Sequence, residues 1–264
     1  MIIYKSEEEI KGIKRSNQIV AKILDELSSM IKPGVQTKDL DEHAEKRARD
    51  MGAVPAFKGY RGYPSSLCTS INEEIVHGLP SSRTLREGDI ISLDFGILCD
   101  GFYGDAAETY PVGNISPIAK KLITAAENAF YKGIEKIREG NRISDISNAI
   151  QTYVEAQGFS IIRSFVGHGI GLSLHEEPQV PNFGLSGRGP KIRKGLVLAI
   201  EPMIAVGDWR MEVLADKWTA VTIDRSLSAH YEHTVALTER GLEILSVLDD
   251  KEPNFQYLKR NQHA

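Results

Sequence analysis

Two aspartates near the middle of the chain have the spacing of a metal-binding hairpin. Asp94 lies in a run in which apolar residues alternate with Ser, Asp and Gly, a pattern typical of a strand with one apolar face. The Asp100-Gly101 dipeptide that follows is typical of a two-residue hairpin turn. With these residues in the turn, Asp94 and Asp105 are diagonal neighbours on one face, with Cα atoms about 7–8 Å apart. Because adjacent carboxylates repel each other, the pattern predicts either a divalent metal site or two solvent-facing aspartates.

Two glutamates in the second half of the chain favour the metal interpretation. Glu201 ends the apolar run at 197–200, where a charged side chain needs a partner. Glu232 lies in the run 229–237, which we predict as one strand with His230, Glu232 and Thr234 on the same face. A solvated residue on an edge strand is the alternative for Glu232. Together the four carboxylates suit hard divalent cations.

Three histidines lie in segments where an imidazole could take part in chemistry. His168 has a glycine on each side, which allows close backbone approach and unusual dihedral angles. His175 lies seven residues later, and His77 directly precedes a glycine. From the spacing alone, a structural residue in a turn is the alternative for each. His43, on a polar helix face, and His263, near the C-terminus, are expected to have no role in a site.

Two helix pairs, each followed by strands, must position these side chains. Capping residues and the helical spacing of apolar residues predict helices that begin at Ser6, at about Thr37, at Ser116-Pro117 and at Ser144. Proline or glycine ends these helices at 33–34, 52, 140 and 158. The helix pairs align at a constant offset, since the glycines at 34 and 52 recur 106 positions later at 140 and 158.

The strands repeat as well, because residues 87–94 align with residues 194–201 at an offset of 107. Each aligned segment ends on a carboxylate, Asp94 in the first and Glu201 in the second. We therefore predict a duplicated architecture, with pseudo-repeats at about 6–112 and 113–248 and a polar, loosely ordered tail at 249–264. A pseudo-twofold axis between the halves would bring the two carboxylates together.

The composition excludes several other classes of protein. The chain has 264 residues, and its net charge of −4 argues against nucleic-acid binding as the main role. Cys68 and Cys99 are its only cysteines, so a disulfide scaffold is excluded. Free thiols are expected, with a single disulfide between the two as the alternative. The N-terminus lacks the apolar segment of a signal peptide, and no apolar run is long enough to span a membrane. We therefore expect a cytoplasmic protein without a membrane partner.

Five ordered motifs resemble those of the type I methionine aminopeptidases, members of the duplicated pita-bread metallopeptidase family. The motifs are Ser70-Ile71-Asn72-Glu73 with His77-Gly78, Leu93-Asp94-Phe95-Gly96 with residues 100–105, Gly167-His168-Gly169-Ile170-Gly171 with residues 175–178, Ala199-Ile200-Glu201-Pro202, and residues 228–234. The resemblance extends from about Ser6 to Leu248. It implies an α+β fold in one catalytic domain at 1–264, in which a curved, largely antiparallel sheet carries helices on its outer face and a dinuclear metal site on its inner face.

The resemblance also implies the ligands and the metals. The ligands would be Asp94, Asp105, His168, Glu201 and Glu232, with Asp105 and Glu232 bridging two divalent ions. Cobalt, iron or manganese is expected, and zinc would also suit these donors. The chain departs from the family pattern at Phe183, where Tyr is more common, and at His230, where Gln is frequent.

The catalytic and substrate-binding residues follow from the same resemblance. A metal-bridging hydroxide would attack the first peptide bond, with Glu201 as the proton shuttle, His175 as the donor to the oxyanion and His77 near the scissile nitrogen. The methionine pocket would be lined by Phe57, Tyr60, Tyr63, Cys68, Leu174 and Trp218, with plain core packing as the alternative for each residue.

The implied function is removal of the N-terminal methionine from newly made polypeptides with a small second residue. Nascent chains would be the substrates, the ribosome would be a further partner, and a monomer is expected. One alternative is a proline-directed aminopeptidase or prolidase, but these relatives usually carry an extra N-terminal domain. Another is a non-catalytic binding member of the fold, against which the intact ligand positions argue. A dimetal phosphoesterase would explain neither the duplicated halves nor the apolar pocket.

Overall fold

The computed structural model describes residues 1–249, so the predicted loose order of the tail falls almost entirely outside the described residues. The helices of this part are α1 (Glu7–Met30), α2 (Thr37–Asp50), α3 (Pro117–Ile134) and α4 (Ile143–Ala156), together with a 3-10 turn at Tyr60–Gly62. The strands are β1 (Val54–Pro55), β2 (Cys68–Ile71), β3 (Glu74–Val76), β4 (Ile90–Cys99), β5 (Phe102–Pro111), β6 (Ser160–Ile161), β7 (Gly167–Gly169), β8 (Glu176–Val180), β9 (Val197–Ile200), β10 (Met203–Ala205), β11 (Met211–Val213), β12 (Ala220–Thr222), β13 (Ser228–His230), β14 (Glu232–Thr238) and β15 (Gly241–Ile244). None of the described helices is long and apolar enough to cross a membrane.

The helices begin where the sequence predicts, with one exception. Ser6 caps α1 through a reciprocal box in which its hydroxyl accepts the Glu9 N–H at 3.3 Å. The prediction that Ser144 caps α4 is wrong, because the cap is Arg142, whose N–H donates to the Asp145 carboxylate at 2.7 Å. The Ser144 hydroxyl instead donates to the Arg188 carbonyl at 2.8 Å. Helix α3 also ends at Ile134, earlier than the predicted stop at residue 140.

The β4–β5 hairpin has the predicted register. Cys99 pairs with Phe102 across the turn, Asp94 pairs with Ala107 and Gly96 pairs with Asp105. The two aspartates are therefore diagonal neighbours on one face, as predicted. This hairpin lies in a nine-stranded sheet of order β1-β4-β5-β14-β9-β7-β8, in which β2 also pairs with β4 and β15 with β14. The observed pairs are antiparallel, as the family resemblance implies for most of the sheet.

The outer face of the sheet packs on the helices. Leu93, Phe95 and Ile97 of β4 are fully buried in a cluster with apolar residues of α1 and α2. A second cluster holds the apolar faces of α3 and α4 against β9 and β14. These clusters leave the opposite face of β4 and β5 directed towards the site.

The two halves of the fold match in their details, as the duplication predicts. Gly34 (φ 96°) and Gly140 (φ 92°) both adopt the left-handed conformation, which favours glycine. Gln36 forms an isolated bridge with Thr84, and Arg142 forms the equivalent bridge with Lys191. The limits of the two pseudo-repeats stay a prediction.

The run 229–237 is two strands rather than the single predicted one. Strand β13 pairs with β10, whereas β14 pairs with β5 and β9 in the large sheet. The Thr109 hydroxyl accepts the His230 N–H at 2.9 Å and donates to the His230 carbonyl at 2.8 Å. A side chain of β5 therefore binds the backbone groups that a strand would otherwise pair there. The next residue, Tyr231, donates its N–H to the Pro202 carbonyl at 3.2 Å, and the chain passes there from one sheet to the other.

Candidate metal centre

Four predicted carboxylates converge on the inner face of the large sheet. Asp94 and Asp105 come from the β4–β5 hairpin, Glu201 directly follows β9, and Glu232 begins β14. Pairing of β14 with both β5 and β9 brings these segments side by side. All four side chains are buried, with exposures of 8% for Asp94, 4% for Asp105, 9% for Glu201 and 2% for Glu232.

Burial and mutual repulsion destabilise the ionised form of these carboxylates. Burial raises the pKa of Asp94 to about 7. Burial, followed by the charges of the neighbouring carboxylates, raises the pKa of Asp105, Glu201 and Glu232 well above the usual range. In the part of the chain that is described, Asp94 Oδ1, Asp105 Oδ1 and Glu232 Oε1 have no hydrogen-bond partner. Such a group of buried acceptors suits a cation.

His168 completes a set of donors around these oxygens. Its Nδ1–H donates to the Gly169 carbonyl at 2.9 Å, which leaves Nε2 as the acceptor atom of a neutral ring. Nε2 lies 3.5 Å from Glu201 Oε1 and 4.0 Å from Asp105 Oδ2. Burial lowers the pKa of His168 and favours the neutral form that binds metals. Asp105, His168 and Glu232 each offer a ligand atom within 4.8 Å of the others, so these residues fit a divalent metal ion.

The glycines around His168 are explained by close backbone packing. A Cβ on Gly167 would lie 2.4 Å from the Ala199 carbonyl oxygen, and one on Gly169 would lie 2.4 Å from the Glu177 carbonyl oxygen. Both distances are too short for any other residue. The glycines therefore let β7 pack between β8 and β9 and direct the imidazole towards the carboxylates.

A cavity of about 350 Å³ adjoins the carboxylates. Every residue of the predicted methionine pocket lines it, namely Phe57, Tyr60, Tyr63, Cys68, Leu174 and Trp218. The lining residues that were not predicted from the sequence are Arg61, Val76, Ser164, Phe165 and Val166. Phe165 lies three residues before His168, and this proximity was the one signal that could have identified it.

His175 and His77 lie on the wall of this cavity. The His175 ring lies 4.2 Å from the His168 ring, and its Nδ1 is 3.0 Å from the Tyr60 hydroxyl. Although His175 is exposed at the mouth of the cavity, partial desolvation and the nearby His168 lower its pKa. His77 is half-buried, adopts a left-handed backbone (φ 61°) and meets Phe165 edge-on at 5.3 Å. Both imidazoles are therefore held beside the carboxylates by aromatic contacts.

A buried ion pair holds the segment that carries His175. Lys5 Nζ lies 2.5 Å from Glu176 Oε2, with exposures of 1% and 7% for the two side chains. The other oxygen of Glu176 accepts the backbone N–H groups of Leu172 at 2.8 Å and Ser173 at 3.1 Å. Nothing in the local pattern around Lys5 predicts this contact, because its partner lies 171 residues away.

Comparison with known proteins identifies the family. The profile of metallopeptidase family M24 matches residues 11–239. The chain belongs to this family. A curated relative, methionine aminopeptidase of Clostridium perfringens, is 52% identical over 248 residues, which cover 94% of this chain and 100% of the relative.

Similar solved structures confirm the predicted fold. The crystal structure of methionine aminopeptidase from Thermotoga maritima matches with a TM-score of 0.92 at 46% identity and covers 94% of this chain and 100% of that chain. Prolidase from Pyrococcus furiosus shares the fold alone, with a TM-score of 0.77 at 21% identity and 66% of that chain covered. The M24 assignment makes this protein a metallopeptidase, and therefore a hydrolase.

Proposed function

We propose that the protein removes the N-terminal methionine from newly made polypeptides whose second residue is small. The observation that carries this proposal is an apolar cavity of about 350 Å³ that ends at a buried cluster of carboxylates and imidazoles. A relative at 52% identity over nearly the whole chain, itself called a methionine aminopeptidase, supports the choice of substrate. The same similarity disfavours the prolidase alternative.

We propose that two divalent ions bind here, with Asp94, Asp105, His168, Glu201 and Glu232 as ligands and with Asp105 and Glu232 bridging. Two ions would neutralise four carboxylates that otherwise repel one another at full burial. Cobalt, iron or manganese is the expected metal, and zinc also suits these donors. When bound, such a pair supplies Lewis acidity and a water of lowered pKa.

The walls of the cavity suit an unbranched thioether side chain. Tyr63 packs edge-on against Trp218 at 5.1 Å, and its hydroxyl donates to the Gly78 carbonyl at 3.0 Å. Burial raises the pKa of the neighbouring Cys68 thiol and keeps it neutral. A rigid apolar wall with a soft sulfur atom favours methionine at the first position.

The imidazoles and Glu201 supply the remaining chemistry. The neutral His175 can donate an N–H to the carbonyl oxygen on which negative charge develops. Glu201, which borders the cavity, would carry a proton from the attacking water to the leaving amine. His77, on the same cavity wall, is placed near the leaving nitrogen in this proposal.

The remaining expectations follow from this function. We propose one catalytic domain at 1–264 with halves at about 6–112 and 113–248, a monomeric state and a cytoplasmic location. Both cysteines, Cys68 and Cys99, are free thiols, which agrees with a reducing compartment. Nascent chains would be the substrates, and we propose the ribosome as a further partner.

An assay of three matched peptides tests the proposal. Metal-reconstituted protein should release methionine from Met-Ala-Ser, release it at least about tenfold more slowly from Met-Leu-Ser, and leave a Xaa-Pro peptide intact, since one pocket contact discriminates by about 10–200-fold. Cleavage of the proline peptide alone would show a prolidase. Absence of any cleavage at full metal occupancy would show a non-catalytic binding protein.

A further inference from the structure

His230 is a buried histidine whose ring is not accounted for by the proposed mechanism. It ends β13, is 1% exposed, and both its backbone N–H and its carbonyl are bound by the Thr109 hydroxyl. These bonds fix its backbone next to the metal centre. Among the described residues, neither Nδ1 nor Nε2 of its ring has a hydrogen-bond partner. An imidazole without partners at such depth costs free energy unless it interacts with something else.

The surroundings of Nε2 indicate what it could interact with. Nε2 lies 3.9 Å from Glu201 Oε2 and 3.8 Å from Glu232 Oε2, which is too far for hydrogen bonds. Two donor atoms bound to one cation at ~2.0–2.2 Å lie roughly 3–4 Å apart, and both distances fall in this range. The ring is therefore spaced from these carboxylates as a further ligand would be.

Comparison with His168 supports a role for His230 as a metal ligand. Nε2 of His168 lies 3.5 Å from Glu201 Oε1 and 4.0 Å from Asp105 Oδ2. Each oxygen of the Glu201 carboxylate therefore faces one imidazole at nearly the same distance. The two histidines differ at Nδ1, which donates to the Gly169 carbonyl in His168 and has no partner in His230. Because an oriented imidazole is the stronger ligand, His230 is expected to bind more weakly than His168.

We propose that His230 is an additional nitrogen donor of the metal centre and that it shifts the metal preference of this chain from manganese towards cobalt, iron and zinc. This inference rests on the proposed metal site, but not on the proposed substrate. An imidazole suits cobalt, iron and zinc, whereas carboxylate and amide oxygens suit manganese. In the family that the sequence resembles, glutamine is frequent at position 230 and offers only amide donor atoms. His230 therefore gives this chain an imidazole nitrogen that such relatives lack.

Metal titration of His230→Gln tests the proposal. Calorimetry on the metal-free variant should show an affinity for Co²⁺ about 10–100-fold lower than that of the parent protein, the loss typical when a group that supports a metal site is removed. The affinity for Mn²⁺ should change by less than about threefold. Equal changes for both ions, or no change, would overturn the proposal. His43→Gln is the matched control. His43 of α2 pairs with Glu26 of α1 at 3.1 Å, away from the proposed ligands, so this substitution should leave both affinities unchanged.

A measurement on the unaltered protein removes dependence on the folding of the variant. In the proton NMR spectrum of the cobalt-loaded enzyme, each ligating neutral imidazole contributes one strongly shifted, exchangeable N–H signal. Two such signals are expected, and one alone would contradict the proposal. The proposed substrate is judged separately, because cleavage of Met-Ala-Ser with a single shifted signal would refute the role of His230 and leave the aminopeptidase activity established.

Discussion

Strand β4 separates two environments that are both closed to water. On its outer face, Phe95 and its apolar neighbours are fully buried against α1 and α2. On its inner face, Asp94 is 8% exposed beside Asp105, and Oδ1 of each aspartate has no partner among the described residues. The outer face releases free energy on burial, whereas the inner face costs free energy until a cation binds.

This difference assigns stability and activity to alternate residues of the same strand. Gly96 shows how tightly the inner face is packed, because a Cβ there would lie 2.7 Å from the Phe57 ring of the cavity and 3.2 Å from Asp105 Oδ1. Substitutions on the outer face should therefore change the free energy of unfolding, and substitutions on the inner face should change metal binding and catalysis.

Asp105→Ala should produce the largest effect. Removing a proposed bridging ligand should lower kcat/KM on the order of 10³-fold or more, since metal ions supply several kcal/mol of transition-state stabilisation. The number of ions bound at saturation should fall below two per chain, measured by elemental analysis. The metal-free variant should be at least as stable as the parent, because a buried carboxylate without a counter-charge has been removed.

The exposed Asp50, at the end of α2, provides the control for this experiment. Within residues 1–249, Asp50 forms only a long ion pair with Arg47 at 3.6 Å, so Asp50→Ala should leave metal content and activity unchanged. Retention of two ions by Asp105→Ala would refute the bridging role.

Phe95→Ala should show the opposite behaviour. Loss of a fully buried ring from the cluster with α1 and α2 should reduce the free energy of unfolding by about 3–5 kcal/mol, measured by urea denaturation of the metal-free protein. The folded fraction should keep its metal content, and its kcat/KM should stay within about threefold, because the inner face is unchanged. A variant of normal stability that fails to bind metal would break the division between the two faces.

Local patterns were sufficient to predict the parts of the site that are close in sequence. The Asp-Gly turn and the alternation in β4 fix the hairpin register, and with it the position of Asp105 relative to Asp94. The cap of α4 was missed because Asp145 can satisfy the backbone N–H of Arg142, although Ser144 is the better capping residue type.

Contacts between distant residues account for the remaining errors. The run 229–237 alternates as one strand should, but Thr109, 121 residues away, binds the backbone of His230 and separates β13 from β14. The Lys5–Glu176 ion pair and the position of Phe165 in the cavity depend equally on the complete fold. Without the resemblance to a known family, the roles of His77 and His175 would also have stayed open.

The dependence of stability on pH provides the most sensitive measure of the inner face. Asp105, Glu201 and Glu232 have a pKa raised well above the usual range, so the native metal-free protein keeps protons that the unfolded chain has lost above about pH 5. Stability must then fall as the pH rises through the native pKa values. Histidines with a lowered pKa, such as His230 and His168, act in the opposite direction, but only below about pH 6.5, where the unfolded imidazole binds a proton.

Above about pH 7 the histidines no longer contribute to the pH dependence of stability, so the contribution of the carboxylates can be measured separately. Between about pH 7 and 9 the Tm of the metal-free protein should fall by roughly 5 °C, because the native carboxylates keep protons that the unfolded chain has lost. The buried Cys68 thiol, whose pKa is also raised, adds to the fall near the upper end of this interval. Saturating Mn²⁺ should remove the carboxylate contribution to the fall, since the metal binds the ionised form. Phe95→Ala should retain the trend at a lower Tm, whereas Asp105→Ala should reduce it. A metal-free Tm that stays constant or rises over this interval would show that the inner-face carboxylates are already ionised in the native state, and the contrast between the two faces of β4 would then lack its electrostatic basis.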